Sequence, residues 1–165
     1  MIILAAAMGL HHELGQESGA PLWNLPDEYN RFRQSIRNHP VIFGRKSFDV
    51  VKTPLEDSLN IVITRQENYD GHGAVVVHSL DEAIGVAKKE GTDIYVVGGG
   101  YIFDMAIGLA DRMEISVIEA RFPDANAFFP EFSTDQWELI SSERHETDSR
   151  HAYPFEFQIW RRRKM

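Results

Sequence analysis

In the stretch WNLPDEYNRF, Trp23 to Phe32, two acids follow a proline and open a run of helical pattern, so a carboxyl that holds or relays a proton is the first candidate for chemistry. Pro26 suits the first turn of a helix, along which residues advance about 100° each. On that wheel Tyr29, Phe32 and Ile36 form one apolar face, with Glu28 about 70° from its centre and Asp27 nearly opposite. Glu28 therefore flanks the buried side and Asp27 points to water. Both acids also suit the positive end of the helix dipole, and spacing alone leaves that purely structural reading open.

Three further stretches combine strand ends with groups that bind anions. IYVVGGGYIF is a buried strand, three glycines and a helix start, where bare N–H groups meet a phosphate and glycine lets backbone approach closely. Gly98, Gly99 and Gly100 lack the spacing of the usual dinucleotide fingerprint, and a tight turn also explains them. VIFGRKSF repeats the design with Gly44, Arg45, Lys46 and Ser47; cations are unfavourable at a helix N-terminus unless an anion is held there. A third strand ends in ITRQ, offering Thr64 and Arg65. Together these suit a ligand with several phosphates, and Arg45, Lys46, Thr64 and Arg65 favour an extra 2′-phosphate, hence NADP(H). The competing reading is a set of ordinary surface cations. His11, His12 and Glu13 lack the spacing of a helical zinc motif, so no metal is assigned, and no G-x-S-x-G elbow is present.

The elements that position these residues read as strands near Ile2 to Ala7, Pro40 to Phe43, Asn60 to Thr64, Ala74 to Val77 and Asp93 to Val97. Helices fall near Pro26 to Arg37, Arg45 to Val50, Leu80 to Glu90 and Tyr101 to Ala110, the third opened by Ser79 or Leu80 with Asp81 and Glu82. Alternating strands and helices imply a largely parallel sheet, whose ligands bind beyond the carboxyl ends of its strands. MEISVIEARF, WELISSERHE and YPFEFQIWR read as three more strands, the last alternating as an antiparallel edge does. The 165 residues read as one domain, 1–165, large enough to bury a core without staples. A net charge of −8 argues against nucleic acid, and Arg161 to Lys164 read as a solvated end. Without cysteine there is neither a disulfide, a zinc-thiolate site nor a thiol nucleophile. MIILAAAM is too short for a membrane span and lacks a basic leader; it reads as a buried strand of a cytoplasmic chain that does not engage membranes.

Taken in order, IILAAAMG, LWNLPDEYNRF, PVIFGRKSF, NIVITR, VVGGGYIF, FFPEF and YPFEFQIW resemble the dihydrofolate reductase family from Ile2 to Arg162. The acid five residues after a tryptophan, with G-R-x-[ST] and G-G-G downstream, is the specific combination. The resemblance implies an α/β fold with a mostly parallel eight-stranded central sheet, an antiparallel C-terminal edge strand and about four flanking helices. It implies NADPH-dependent reduction of 7,8-dihydrofolate to tetrahydrofolate, with hydride to C6 and a proton to N5, by a monomer. By position Glu28 is then the family's acid, in a dry neighbourhood of Leu25, Tyr29 and Phe32 that raises its pKa. Ser116 is its partner and Trp23 orders water near it. Ala5, Ala6, Phe32, Val51, Leu55 and Val97 join Glu28 as substrate-binding positions. Ala7, Leu14, Gly15, Gly44, Arg45, Lys46, Ser47, Thr64, Arg65, Val97, Gly98, Gly99, Gly100, Tyr101 and Ile102 are cofactor-binding positions, with a cis Gly98–Gly99 peptide. The loop Gly9 to Trp23, with Gly15 and Gly19, is the lid.

The chain departs from the family's pattern at several places. Glu28 stands where bacterial members commonly carry aspartate, Leu22 is inserted before Trp23, Asn126 replaces a frequent aspartate and Phe103 a frequent tyrosine. TPLEDSLNIV replaces P-L-P-G-R-x-N, so Ser58 stands where an arginine binds the carboxylate of the substrate's glutamate tail. Losing such a fork costs about 2–4 kcal/mol, and Arg31, Arg33 or Lys52 is the expected substitute. Two rival readings follow: a reductase of a tail-less pterin or related heterocycle, and a non-catalytic NADP(H)-binding protein.

Overall fold

The structure is a computed structural model that describes residues 1–15, 22–51 and 54–164, with the side chain of Val51 outside the description. Strands whose every residue is apolar form wherever both faces of a sheet are covered. Strand β1 (Ile2–Met8) is followed by β2 (Glu13–Gly15), helix α1 (Pro26–Ile36), β3 (Val41–Gly44), α2 (Arg45–Val51), β4 (Asn60–Ile63) and β5 (Val75–Val77). Then come α3 (Leu80–Lys88), β6 (Ile94–Val96), α4 (Gly100–Ala106), β7 (Arg112–Ile118), β8 (Ala127–Phe128), β9 (Trp137–His145) and β10 (Phe155–Arg162).

Eight of these strands make one sheet in the order β5-β4-β3-β6-β1-β7-β10-β9, parallel from β5 to β7 and antiparallel in its last two pairings. The alternating last strand is antiparallel, as the sequence implies, but lies one place in from the edge, which β9 occupies. The pattern reports on faces and not on rank within the sheet, so the position was not legible. The sequence reading passed over a second sheet, the antiparallel pair of β2 and β8, because a two- or three-residue strand carries no period.

Side chains of β1 alternate between two cores. Leu4 and Met8 join Ile84 and Ala87 of α3 and Phe103 and Ala106 of α4, whereas Ile3 and Ala5 join Ile36 of α1 and Phe48 of α2. Fully burying one such aliphatic side chain is worth about 1.5–3 kcal/mol. Helix α3 starts as its sequence requires: the Ser79 hydroxyl accepts from Glu82 N–H at 3.1 Å, and a Glu82 carboxylate oxygen accepts from His78 N–H at 3.2 Å. Helix α4 begins at Gly100 and ends at Ala106, shorter than expected. No described helix is long and apolar enough to cross a membrane.

Candidate active site

The register of β1 creates a crevice. Its pairing with β6 ends at Leu4↔Val96, whereas its pairing with β7 runs on to Met8↔Val117, so Ala5, Ala6 and Ala7 continue past the last β6 partner. On the far side the chain leaves β6 through Val97, Gly98 and Gly99, with a cis Gly98–Gly99 peptide and Gly98 at φ +127°. Gly44 N–H at the end of β3 donates to Gly98 O at 2.7 Å, which fixes this turn against the neighbouring strand. Chain order reverses here, since β1 leads through α1 to β3 while β6 returns beside it, and such points are where open α/β sheets bind ligands.

Helix α1 carries the acid to one wall of this crevice. Glu28 is 7% exposed, deeper than its place at the flank of an apolar face required. Its Oε1 accepts from Arg31 Nη2 at 3.1 Å, an i,i+3 pair on one helix face, and it shares a hydrogen bond with the Ser116 hydroxyl. Arg31 Nη2 also reaches Ser116 Oγ at 3.4 Å, and its guanidinium lies over the Phe157 ring at 3.7 Å. Ser116 is fully buried in β7, in register with Ala7 of β1 and Phe157 of β10. Burial pushes the Glu28 carboxyl above its ordinary range, while the Arg31 charge, the Ser116 hydrogen bond and the Arg31 hydrogen bond pull it part of the way back. A dry carboxyl with a raised pKa holds a proton near neutral pH better than a solvated one. Trp23 stands against the same wall, its ring 5.0 Å from that of Phe122, in a cluster with Leu25, Ile118 and Ala7.

Two expectations about α1 fail. Tyr29 is 48% exposed, because of the supposed apolar face Ile36 is buried and Phe32 partly buried against the core while the Tyr29 hydroxyl accepts from Arg33 at 3.4 Å near solvent. Asp27 does not stand free in water: residues 145–151 fold over the start of the helix, and Arg150 Nη2 meets Asp27 Oδ1 at 2.7 Å. A helix wheel holds no information about a segment more than a hundred positions away.

The opposite side of the crevice opens into a cavity of about 960 Å³. Gly44, Arg45, Lys46, Ser47, Thr64, Arg65, Gly99, Gly100, Tyr101 and Ile102 line it, ten of the positions that the sequence assigned to a cofactor. Ala7, Leu14, Gly15, Val97 and Gly98 are not in its lining. It is also lined by His78 and Ser79 beyond β5, and by Asn126, Ala127 and Phe128 around β8, which the sequence reading missed. The end of β5 was a usable signal for the first pair; the β8 segment comes close only through its pairing with β2. Arg45 is held by Asp49 at 2.9 Å, whereas Lys46 and Arg65 are exposed. A Cβ on Gly100 would sit 2.9 Å from Phe128 O, so only glycine permits this wall. The size, the three cations and the glycine-built wall suit an extended phosphorylated dinucleotide.

Of the expected substrate positions, Ala5, Phe32, Leu55 and Val97 fall in one apolar cluster on the α1 side, whereas Ala6 packs on the other face of the sheet. The Val51 side chain, Lys52, and residues 16–21 of the expected lid, Gly19 included, lie outside the described residues. Ser58 Oγ donates at 3.0 Å to the carbonyl of Ile36 at the end of α1, which also accepts from His39 N–H at 3.1 Å, and its neighbour Asp57 pairs with Arg37 at 3.5 Å. Asp57 takes the left-handed φ of 59° where the family's motif has glycine, a conformation that aspartate tolerates. Of the expected substitutes for the missing arginine, Arg31 is committed to Glu28, and Arg33 lies beside Tyr29 with its guanidinium 6.0 Å from the ring. Glu13 is a structural anchor, its carboxylate accepting from Phe122 N–H at 2.6 Å and His11 N–H at 2.5 Å, while His12 Nδ1 meets main-chain carbonyls of Phe129 and Pro130.

A family model described as dihydrofolate reductase matches residues 1–162. The chain is 29% identical to the dihydrofolate reductase of Bacillus subtilis strain 168, over 99% of this chain and 95% of that relative. It is 30% identical to the dihydrofolate reductase of Haemophilus influenzae, over 97% of this chain and 98% of the relative. Among solved structures, the dihydrofolate reductase from Enterococcus faecalis complexed with NADP(H) and RAB-propyl superimposes with a TM-score of 0.92 at 25% identity, covering 99% of this chain and 97% of that one.

Proposed function

The chain belongs to the dihydrofolate reductase family, and from that premise we infer that it catalyses the NADPH-dependent reduction of 7,8-dihydrofolate to tetrahydrofolate. The observation that carries the reading is the pairing of a buried Glu28, its pKa raised by burial, with a cation-lined cavity of dinucleotide size on the two sides of one crevice. NADPH, when bound, supplies the hydride that reduces C6.

The residues of the chain do the rest. Glu28 grips the amidine-like edge of the pterin and favours delivery of a proton to N5, a role that its pKa, raised by burial, supports. Ser116 and Arg31 fix the rotamer of the carboxyl, and Trp23 with Leu25 and Phe122 excludes bulk water from it. Phe32, Leu55, Ala5 and Val97 supply an apolar surface for the ring. Lys46, Ser47, Thr64 and Arg65, which line the cavity, take the 2′-phosphate and pyrophosphate, with the α4 start at Gly100 as backbone donor. The chain works as one domain and as a monomer, a reading supported by a site assembled on a single sheet, and the cytoplasm is where we place it.

The test follows NADPH oxidation by absorbance on adding dihydrofolate or a tail-less dihydropterin. Turnover of dihydrofolate supports the reading. Turnover of the tail-less pterin alone would move the assignment to that substrate class, to which Ser58 and its helix-capping bond point. NADPH binding with no oxidation of either kind would leave only a cofactor-binding protein.

A further inference from the structure

Away from the crevice, residues 145–151 fold back on the start of α1 and gather Asp27, His145, Asp148 and His151, each with one donor atom within 4.8 Å of the others. The rings are held in place. The His151 side chain is wholly buried, and His145 stacks on Phe155 with centroids 4.7 Å apart and planes 11° from parallel.

The hydrogen bonds assign the tautomers. A carbonyl only accepts, so His145 Nδ1, 2.7 Å from Glu146 O, carries the ring proton. In the neutral ring Nε2 is then a bare lone pair, and it faces Asp27 Oδ2 at 3.2 Å and Asp148 Oδ2 at 3.8 Å. A lone pair set against two carboxylate oxygens repels them unless a cation lies between. The cation is a second proton or a metal ion. On His151, Nε2 accepts from Asp27 N–H at 3.1 Å, so Nδ1 is protonated and donates to Asp148 Oδ1 at 2.7 Å. That is the state in which an imidazole ligates through Nε2 while a carboxylate holds its other nitrogen. Arg150 occupies Asp27 Oδ1, which leaves Oδ2 to the histidines. Two carboxylates and one guanidinium around two neutral rings carry a net negative charge, which favours a dication.

We propose that Asp27, His145, Asp148 and His151 form a binding site for a divalent transition-metal ion of the zinc class. Two imidazole nitrogens and two carboxylate oxygens suit tetrahedral zinc, whose ligands at about 2.0–2.2 Å stand about 3.4 Å from one another. The observed separations of 3.2 and 3.8 Å between His145 Nε2 and the two carboxylates, and of 3.8 Å between His151 Nε2 and Asp27 Oδ2, bracket that value. Calcium and magnesium prefer all-oxygen sets. The entering ion takes the His151 lone pair from the Asp27 amide and ties the 145–151 segment to the helix that carries Glu28.

The experiment titrates Co²⁺ into the tag-free full chain, stripped with chelator, at pH 8, where histidine is ordinarily neutral. The expected result is one equivalent of Co²⁺ with the intense visible bands of a tetrahedral complex, displaced by one equivalent of Zn²⁺. His145→Gln, a substitution on a half-exposed side chain, lowers the affinity at least about tenfold, as does Asp148→Asn. Circular dichroism verifies the fold of each variant. Absence of a tetrahedral spectrum at saturating Co²⁺, or an affinity unchanged in a folded His145→Gln, overturns the proposal: the first leaves a proton as the cation, the second assigns binding to other histidines.

Discussion

Replacing Arg31 by glutamine removes the cation that pairs with Glu28 while keeping a helix-compatible side chain over Phe157. Two unit charges about 4 Å apart interact by about 4 kcal/mol at an effective dielectric of about 20. Arg31 is 24% exposed, so water and lost side-chain freedom reduce the useful part to about 1–2 kcal/mol, or about one pKa unit. Burial and Ser116 are left in place, so the Glu28 pKa, already raised, rises further by about that amount. The assay is the pH dependence of kcat/KM for NADPH-linked dihydrofolate reduction, with Arg31→Lys as the charge-preserving control. The inflection belonging to Glu28 should move up by about one unit in Arg31→Gln and far less in Arg31→Lys. The same change has a signature in stability. A carboxyl whose folded pKa exceeds its unfolded value contributes stability that is full below the unfolded pKa and is lost as pH rises through the folded one. Relative to the parent, Arg31→Gln should therefore lose about 1–2 kcal/mol more between pH 4 and pH 8 in urea titrations. An inflection that stays within about 0.3 unit of the parent, or moves down, refutes the reasoning that Arg31 tunes the acid.

Three further outcomes are expected. Gly100→Ala, whose Cβ would meet Phe128 O at 2.9 Å, should weaken NADPH binding about tenfold or more in a fluorescence titration while leaving the fold intact. If Arg65, exposed in the cavity lining, serves the 2′-phosphate, Arg65→Ser should raise the KM for NADPH about tenfold and leave that for NADH nearly unchanged. Ile42→Val, at a side chain with no exposure, should cost about 0.5–1.5 kcal/mol in urea unfolding with kcat unchanged.

What the sequence made legible follows from which forces are local. Val41–Gly44 and Asn60–Ile63 are buried at every residue, and the apolar runs VIF and IVI announced interior parallel strands. The Ser79 cap and the glycines after β6 are equally local and were equally readable. The depth of Glu28 was half legible: the wheel placed it on the flank of the helix, but its dryness comes from Ser116 and Phe157, on strands 88 and more residues away. Asp27 was misread for the same reason, since Arg150 and the two histidines reach it from the far end of the chain. The pairing of Arg31 with Glu28 is written in their i,i+3 spacing, a local signal that competes with a role for Arg31 at the substrate's tail.

The measurement that bears most directly on the account compares the parent with Glu28→Gln, by kcat/KM for dihydrofolate at pH 7 beside the NADPH dissociation constant. Glutamine keeps the volume and a hydrogen bond to Ser116 but neither holds the negative charge nor relays the proton. A fall in kcat/KM of at least about a hundredfold, with NADPH affinity unchanged, is the predicted result. Retention of turnover within about threefold of the parent would contradict the assignment of Glu28 as the acid.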